Sequence, residues 1–346
     1  MLRAIPEKST QGTIGYLAVD VGYGYVKALS AVGRRVFFPS VVAPAPFDPL
    51  AGVLKGGEPG HRVTVRKVDD REKRQYLVGE AAMRSSLSVA TLAREKPAES
   101  HDLLLLTAAY LAGACTAGFP AGSDAPALAV GLPLAFYKTQ RESLKARLER
   151  LGAWVAVDGG EERWIRFCRV VVLPQGAGVV MAQGTLNGLY GVVDIGQYTC
   201  DYLLVEGRNG ALVPVPEYCS SLEAGVYLVH RAMAREFQHV TGVPLDAIEV
   251  PRVLDRALQG RPVVFDGRAL DLTAAASRAV REAGQAIGQR VLAVWGPRKS
   301  LMEGVLLAGG GALLFREELM RLLPGAAVVS EPVFANCLGY LKVLQT

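Results

Sequence analysis

Apolar and polar positions along this chain fall into short blocks, and the blocks recur in two halves. Gly15-Tyr16-Leu17-Ala18-Val19 is a brief apolar run that stops at Asp20 and a group of glycines, the mark of a buried strand entering a tight turn. Tyr25 to Val32 restarts a strand, so the pair predicts a hairpin with a glycine-rich turn. Pro44, Pro46, Pro49 and Gly56-Gly57 mark a loop, and Val63–Val68 with Gln75–Val78 predicts a second hairpin. Residues 33 to about 95 read as a smaller, more polar subdomain. Helices are expected at about 101–118 and 138–151, with the strand Ala127–Val130 between them.

The theme then repeats. Val170–Leu173 is a strand, and Gly191–Gly196 is another that ends, like the first, in an acid and a glycine. Cys200–Val205 and Leu212–Pro216 continue as strands, joined through Asn209-Gly210, a strong hairpin signal. Helical periodicity returns at Ser221–His239 and at 272–292, where Leu272, Ala276, Ala279, Ala283, Ile287 and Val291 form one stripe. The strand Val305–Ala308 runs into Gly309-Gly310-Gly311-Ala312. A helix follows at about Leu313–Leu322, and a short one closes the chain near Phe334–Val343. The echo predicts two related halves, with no short-period repeat of solenoid type.

At 346 residues the chain is long enough for two cores, since single cores stop growing near about 250–300 residues. A net charge of +5 on that length does not by itself imply nucleic-acid binding, and the arginines are spread over expected helix faces. The five cysteines are odd in number, far apart and without a CxxC, which predicts reduced, buried thiols in a cytoplasmic protein. The four histidines lack metal-ligand spacing. The polar residues 1–14 predict a loose leader with no signal-peptide core. Leu103–Phe119 is the most apolar stretch, but short for a span, so a buried helix is expected rather than a membrane contact.

Candidate chemistry gathers at three glycine-bearing turns. In Asp20-Val21-Gly22-Tyr23-Gly24-Tyr25-Val26-Lys27, the glycines let backbone N–H groups approach an anion, and Lys27 on the returning strand reaches the same anion. Asp20 at the strand end suits a water-bearing Mg2+, which takes few carboxylates. Alone, this segment reads more readily as a plain hairpin whose glycines supply positive φ than as a site. Asp194-Ile195-Gly196-Gln197-Tyr198-Thr199-Cys200-Asp201 repeats the pattern, and two such hairpins face to face would clamp a phosphate chain, with Asp20 and Asp194 flanking a metal. Asp201 reads either as a metal-side carboxylate or as a group satisfying turn backbone. Gly309–Ala312, between a strand and a helix, lets a flat ligand lie against the backbone and adds the field of a helix N-terminus. Glu223 forms Ser220-x-x-Glu223, a capping box, and is open to a second reading beside a ligand.

This order of two Asp-Gly hairpins and a GGGA turn resembles the superfamily of actin, sugar kinases and heat-shock-chaperone ATPases. Tyr76–Glu80 resembles the VGE segment of the ParM family of bacterial actin-like plasmid-segregation proteins, Val130–Tyr137 its GLP…Y segment, Ser220–Ala232 its glycine-containing helix near the nucleoside, and Phe334–Lys342 its FAN…G[FY]LK ending. The resemblance runs from about residue 15 to the end. It implies an α/β actin-like ATPase fold: two related ribonuclease-H-like domains around a nucleotide cleft. Domain I would span 1–174, with the subdomain at 33–95 and closure by a helix at 331–346; domain II would span 175–330.

The resemblance also implies ATP/ADP and Mg2+ as ligands. Gly22, Tyr23, Gly24, Tyr25 and Lys27 would belong to the first phosphate loop, Gly196, Gln197, Tyr198 and Thr199 to the second. Gly309, Gly310, Gly311 and Ala312 would hold the adenosine, with Glu223 near the ribose and base. Asp20 and Asp194 would serve metal and catalysis. Leu173-Pro174-Gln175-Gly176-Ala177-Gly178 matches the interdomain hinge. ParM-like chains often carry Glu where this chain has Gln175, and an amide orients water but does not take its proton. Gln197 and Tyr198 replace smaller residues and are expected to narrow the phosphate pocket. The implied activity is ATP hydrolysis coupled to head-to-tail filament assembly, moving plasmid DNA through a small DNA-binding adaptor, with no direct sequence-specific DNA reading. A sugar or metabolite kinase of the same superfamily, a low-turnover nucleotide-binding scaffold, and GTP in place of ATP are the alternatives.

Overall fold

The computed structural model describes residues 15–46, 60–67, 72–85, 97–115, 125–323 and 325–346. The expected leader and the loop at Pro49 and Gly56-Gly57 lie outside them. Two sheets carry the architecture, and they share one topology. In the first, Arg35–Pro39, Tyr25–Ser30, Tyr16–Val21, Ala127–Leu132 and Arg169–Pro174 lie side by side; in the second, the same places are taken by Ala211–Pro214, Cys200–Arg208, Gly188–Ile195, Met302–Ala308 and Ala326–Val328. Each begins with an antiparallel hairpin and ends with two parallel strands. The echo in the sequence is thus a duplicated sheet, whose first strand lies at its centre.

Central parallel strands are covered on both faces, which is why they read as unbroken apolar runs. Helices Ala98–Leu111 and Leu134–Arg150 contribute Leu103–Leu106, Leu144 and Leu148 to one core of the first lobe. The C-terminal helix Ala335–Gln345 covers the other face of that sheet through Cys337, Tyr340 and Leu344. In the second lobe, Thr273–Trp295 lays the expected stripe from Ala276 to Val291 into the core with Tyr227–Thr241 and Val250–Leu258, and Leu272 joins it from just before the helix. The short helix Ala177–Ala182, in the segment expected to form the hinge, puts Val179 and Val180 on the opposite face. Hinge helix and C-terminal helix pack on each other so closely that a Cβ on Gly339 would fall on the Gly178 carbonyl.

Several expectations are corrected. The subdomain is not confined to 33–95: its sheet, Val42–Pro44, Arg74–Val78, His61–Lys67, Gly152–Val157 and Arg163–Arg166, borrows two strands from beyond the second helix, because the edge of His61–Lys67 needs a partner. The helix expected at 101–118 runs Ala98–Leu111, and that at 138–151 runs Leu134–Arg150; each starts directly after a proline, which suits a helix start. The helix expected from Ser221 begins at Tyr227, because Ser220–Leu222 pairs with Cys200–Tyr202 as a strand. Gly310 and Gly311 lie inside a short helix, Gly310–Leu314, separated by Phe315 from Arg316–Leu322. Of the cysteines, Cys200 and Cys337 are buried, but Cys115 and Cys168 are exposed. No helix among the described residues is long and apolar enough to cross a membrane.

Candidate functional site

The central strands of both sheets end at one cleft, and their turns face each other across it. In the first hairpin Asp20 pairs in register with Lys27, so both side chains leave the same face, and Lys27 Nζ lies 3.2 Å from Asp20 Oδ2. The turn is held from behind: Ser40 Oγ donates to the Gly22 carbonyl at 2.6 Å and Ser40 N–H to the Gly24 carbonyl at 2.9 Å. Neither Gly22 nor Gly24 has positive φ. Space is the reason for them instead. A Cβ on Gly24 would lie 2.9 Å from Gln197 Cγ on the other lobe, and one on Gly22 would lie 2.9 Å from the Tyr25 carbonyl.

The second hairpin pairs Asp194 with Asp201. Its turn rests on the start of helix Tyr227–Thr241, where the Val226 and Tyr227 N–H groups donate to the Gly196 and Gln197 carbonyls at 3.2 and 2.9 Å. Those contacts satisfy donors that a capping side chain would otherwise serve. They also turn the N–H groups of Gln197 and Tyr198 away from the helix, since C=O and N–H of a trans peptide oppose each other. The capping box expected from Ser220 and Glu223 is therefore absent; the Glu223 carbonyl accepts from Tyr227 Oη at 3.2 Å, and Glu223 does not line the cleft. Gln197 reaches His230 Nδ1 at 3.0 Å, and burial holds that imidazole below its usual range. Tyr198 packs on Tyr227, ring centroids 5.5 Å apart, and lies at a right angle to Tyr23, centroids 6.5 Å apart. Of the two large residues expected to narrow the pocket, Gln197 alone lines it.

The third wall is Gly309–Gly311. Gly309 has φ 80, and a Cβ there would lie 2.6 Å from Asp194 Oδ1, so glycine is required for both conformation and space. Gly310 opens onto empty space and lines the cleft, whereas Ala312 is fully buried in the core. The cleft encloses about 270 Å³. Four other hollows among the described residues are larger, about 350 to 450 Å³, but none combines more than one carboxylate with bare glycine backbone.

Three carboxylates and one ammonium set the electrostatics. Burial pushes Asp194 up to about 6, reinforced by the nearby Asp20 charge and opposed by Lys27 and Asn336. Burial likewise pushes Asp201 up to about 7, although Ser221 Oγ and the Leu134 N–H donate to it. Burial alone would lower Lys27; Asp20 and Asp194 hold it above an ordinary lysine. Gln175 Nε2 donates to Asp20 Oδ1 at 2.6 Å, which leaves its carbonyl oxygen as the end able to accept from a water. Among the described residues no three His, Cys, Asp or Glu form a metal cage. Excess buried negative charge without a cage is what a Mg2+ would meet that keeps its waters and shares phosphate oxygens.

Asp20, Gly22, Tyr23, Gly24, Tyr25, Lys27, Gln175, Asp194, Gly196, Gln197, Thr199, Gly309, Gly310 and Gly311 all line this one cleft, while Tyr198, Glu223 and Ala312 do not. Sequence reasoning missed Asn336, whose Nδ2 donates to Asp194 Oδ2 at 2.7 Å, and Ser40 behind the first turn. An Asn at the start of a strongly apolar helix was the available signal for the first; nothing in the sequence marks Ser40.

Two protein-family models match the chain: the N-terminal domain of actin-like proteins over residues 18–178, and the C-terminal domain of archaeal, MreB-like actin homologues over 192–321. Archaeal actin homologs of Thermoplasma acidophilum and Thermoplasma volcanium are each 25% identical over 333 residues, covering 94% of this chain and 97% of theirs. Among solved structures, a 15-stranded ParM filament from Clostridium botulinum matches with TM-score 0.81 at 22% identity, over 96% of this chain and 99% of that one. An archaeal actin homolog in complex with ADP matches with TM-score 0.71 at 21% identity, over 95% and 99%. ParM of Bacillus thuringiensis with AMPPNP matches with TM-score 0.71 at 16% identity, over 96% and 98%.

Proposed function

The chain is an actin-like protein, and on that premise we propose that it binds ATP with Mg2+ in the cleft, hydrolyses it, and assembles head to tail into filaments. The observation that carries this reading is the convergence of two Asp-Gly hairpins and a glycine turn on one cleft lined by three carboxylates and one lysine, which pairs with Asp20. We divide the chain at the hinge, with residue 175 opening the second domain. The phosphates would lie between the turns at Gly22–Gly24 and Gly196–Thr199, with Lys27 countering their charge, and the adenosine against Gly309–Gly311. Bound Mg2+ would neutralise phosphate charge beside Asp20 and Asp194. Gln175, anchored by Asp20, would orient the attacking water through its carbonyl oxygen. Asp201, with a carboxyl pushed up to about 7, would take the proton that an amide cannot.

An ATP that touches both turns favours closed lobes, and loss of its γ-phosphate removes the link between them. Filament contacts that prefer the closed shape then weaken. Head-to-tail contact is heterologous and gives open polymers. The likeness to ParM in fold supports plasmid DNA as cargo, held through a small DNA-bound adaptor in the cytoplasm; the curated relatives themselves are archaeal rather than bacterial. One observation favours a second reading: a buried cleft carboxylate near neutrality, Asp201, would also serve a kinase as base for a substrate hydroxyl.

Phosphate release by the purified protein, with and without sugars, separates these readings. Acceptor-independent release that Asp194→Ala abolishes while circular dichroism stays unchanged is the expected result. Release that needs an added sugar would select the kinase, and wild-type release by Asp194→Ala would overturn the site.

A further inference from the structure

Asn336 is 6% exposed and opens the C-terminal helix, which packs on the sheet of the first lobe. A carboxylate accepts only, so the amide end that faces Asp194 is the NH2: Nδ2 donates to Asp194 Oδ2 at 2.7 Å. With that end fixed, Oδ1 accepts the Gly176 N–H at 3.0 Å. Gly176 follows Gln175 directly, and Gln175 donates to Asp20 Oδ1 at 2.6 Å. A single neutral side chain therefore links the strand end of the second lobe to the hinge backbone, and through the hinge to the strand end of the first. Its helix is itself held against the hinge helix. A Cβ on Gly178 would lie 2.6 Å from the Asn336 carbonyl, and Lys342 Nζ donates to the Ala182 carbonyl at 2.6 Å.

We propose that Asn336 is a positioning residue that sets the Asp194 carboxylate toward the metal–nucleotide and fixes Gln175 through the Gly176 amide, so that the two move together. The inference rests on the nucleotide reading of the cleft. Both amide atoms are spent on this task, and neither adds charge to a site that needs its negative charge for a cation. A hydrogen-bond partner that orients a metal-side carboxylate is worth about 10–100-fold in metal affinity or activity. Alanine removes both contacts. Aspartate keeps an acceptor for Gly176 and sets a second carboxyl against Asp194 in place of the neutral amide donor, so it separates the two ends.

The test uses the full chain and two readouts. The first is the Mg2+ concentration giving half-maximal thermal stabilisation with a non-hydrolysable ATP analogue. The second is hydrogen exchange at Gly176 in nucleotide-free protein. Asn336→Ala is expected to raise the Mg2+ midpoint about 10–100-fold and to speed exchange at Gly176. Should that variant not fold, Asn336→Asp carries the test, with Gly176 still protected and turnover reduced about 10–100-fold. An unchanged Mg2+ midpoint in Asn336→Ala, with or without a lower melting temperature, would reduce Asn336 to a packing role and overturn the inference. Asp194→Ala is the reference: if it too leaves the midpoint unchanged, the cleft reading itself has failed, whereas a shift in Asp194→Ala alone sinks only the role of Asn336.

Discussion

In the proposed mechanism Gln175 and Asp201 divide one task, and their chemistry predicts different failures. Gln175→Ala removes the water-orienting carbonyl but no phosphate contact, so kcat should fall about 100-fold while nucleotide affinity, read by fluorescence titration, stays within a few-fold. A large loss of affinity would point to a structural hinge role. Asp201 makes stability depend on pH. Its folded-state carboxyl sits near 7 and its ordinary value is 3.8, so between them the folded chain holds a proton that the unfolded chain has released. Stability of the nucleotide-free protein should therefore fall as pH rises from about 4 to about 7 and level off above, with Asp194 contributing in the same direction up to about 6. Melting temperature against pH should flatten in Asp201→Asn; an unchanged slope would contradict the burial of this charge. Most of this site was legible because strand-end Asp and turn Gly are close in sequence. The missed Asn336 lies 142 residues from its partner Asp194, a separation that no local pattern encodes.

At the scale of elements, the closest joint is the crossing of the hinge helix Ala177–Ala182 with the C-terminal helix Ala335–Gln345. Gly178 and Gly339 bring the backbones together, and Tyr340 Oη donates to the Pro174 carbonyl at 3.2 Å, fastening the helix to the strand that leads into the hinge. Gly339→Ala should cost about 1–3 kcal/mol by overpacking, measured by urea unfolding, and should lower turnover by tilting the hinge. A neutral Gly339→Ala would mean that the helices part easily. Central strands and the long helix Thr273–Trp295 were legible because burial on both faces, or on one stripe, dictates their residue pattern. The start of helix Tyr227–Thr241 was not. Ser220-x-x-Glu223 has the local form of a cap, but pairing with Cys200–Tyr202 draws Ser220–Leu222 into a sheet, and carbonyls from a distant turn satisfy the helix instead. The subdomain sheet failed for a related reason, since its fourth and fifth strands arrive from residues 152–166.

For the whole molecule, the duplicated sheet topology makes the cleft a seam between two lobes, held by the crossing of helices Ala177–Ala182 and Ala335–Gln345 and by contacts across the cleft such as Asn336 to Asp194, and spanned by whatever fills the cleft. Tyr23 meets Tyr198 across that seam, and Gly24 lies against Gln197. Ligand contacts on both sides would bias the lobes toward closure, and closure is what the proposed assembly reads. The most direct test is light scattering and sedimentation over a wide range of protein concentration, with ATP–Mg2+, with ADP–Mg2+ and without nucleotide. Polymer above a critical concentration in ATP–Mg2+, a markedly higher threshold in ADP–Mg2+, and none for Asp194→Ala is the expected result. Nucleotide binding with no polymer at any concentration, or polymer indifferent to nucleotide, would contradict the claim that this cleft controls assembly.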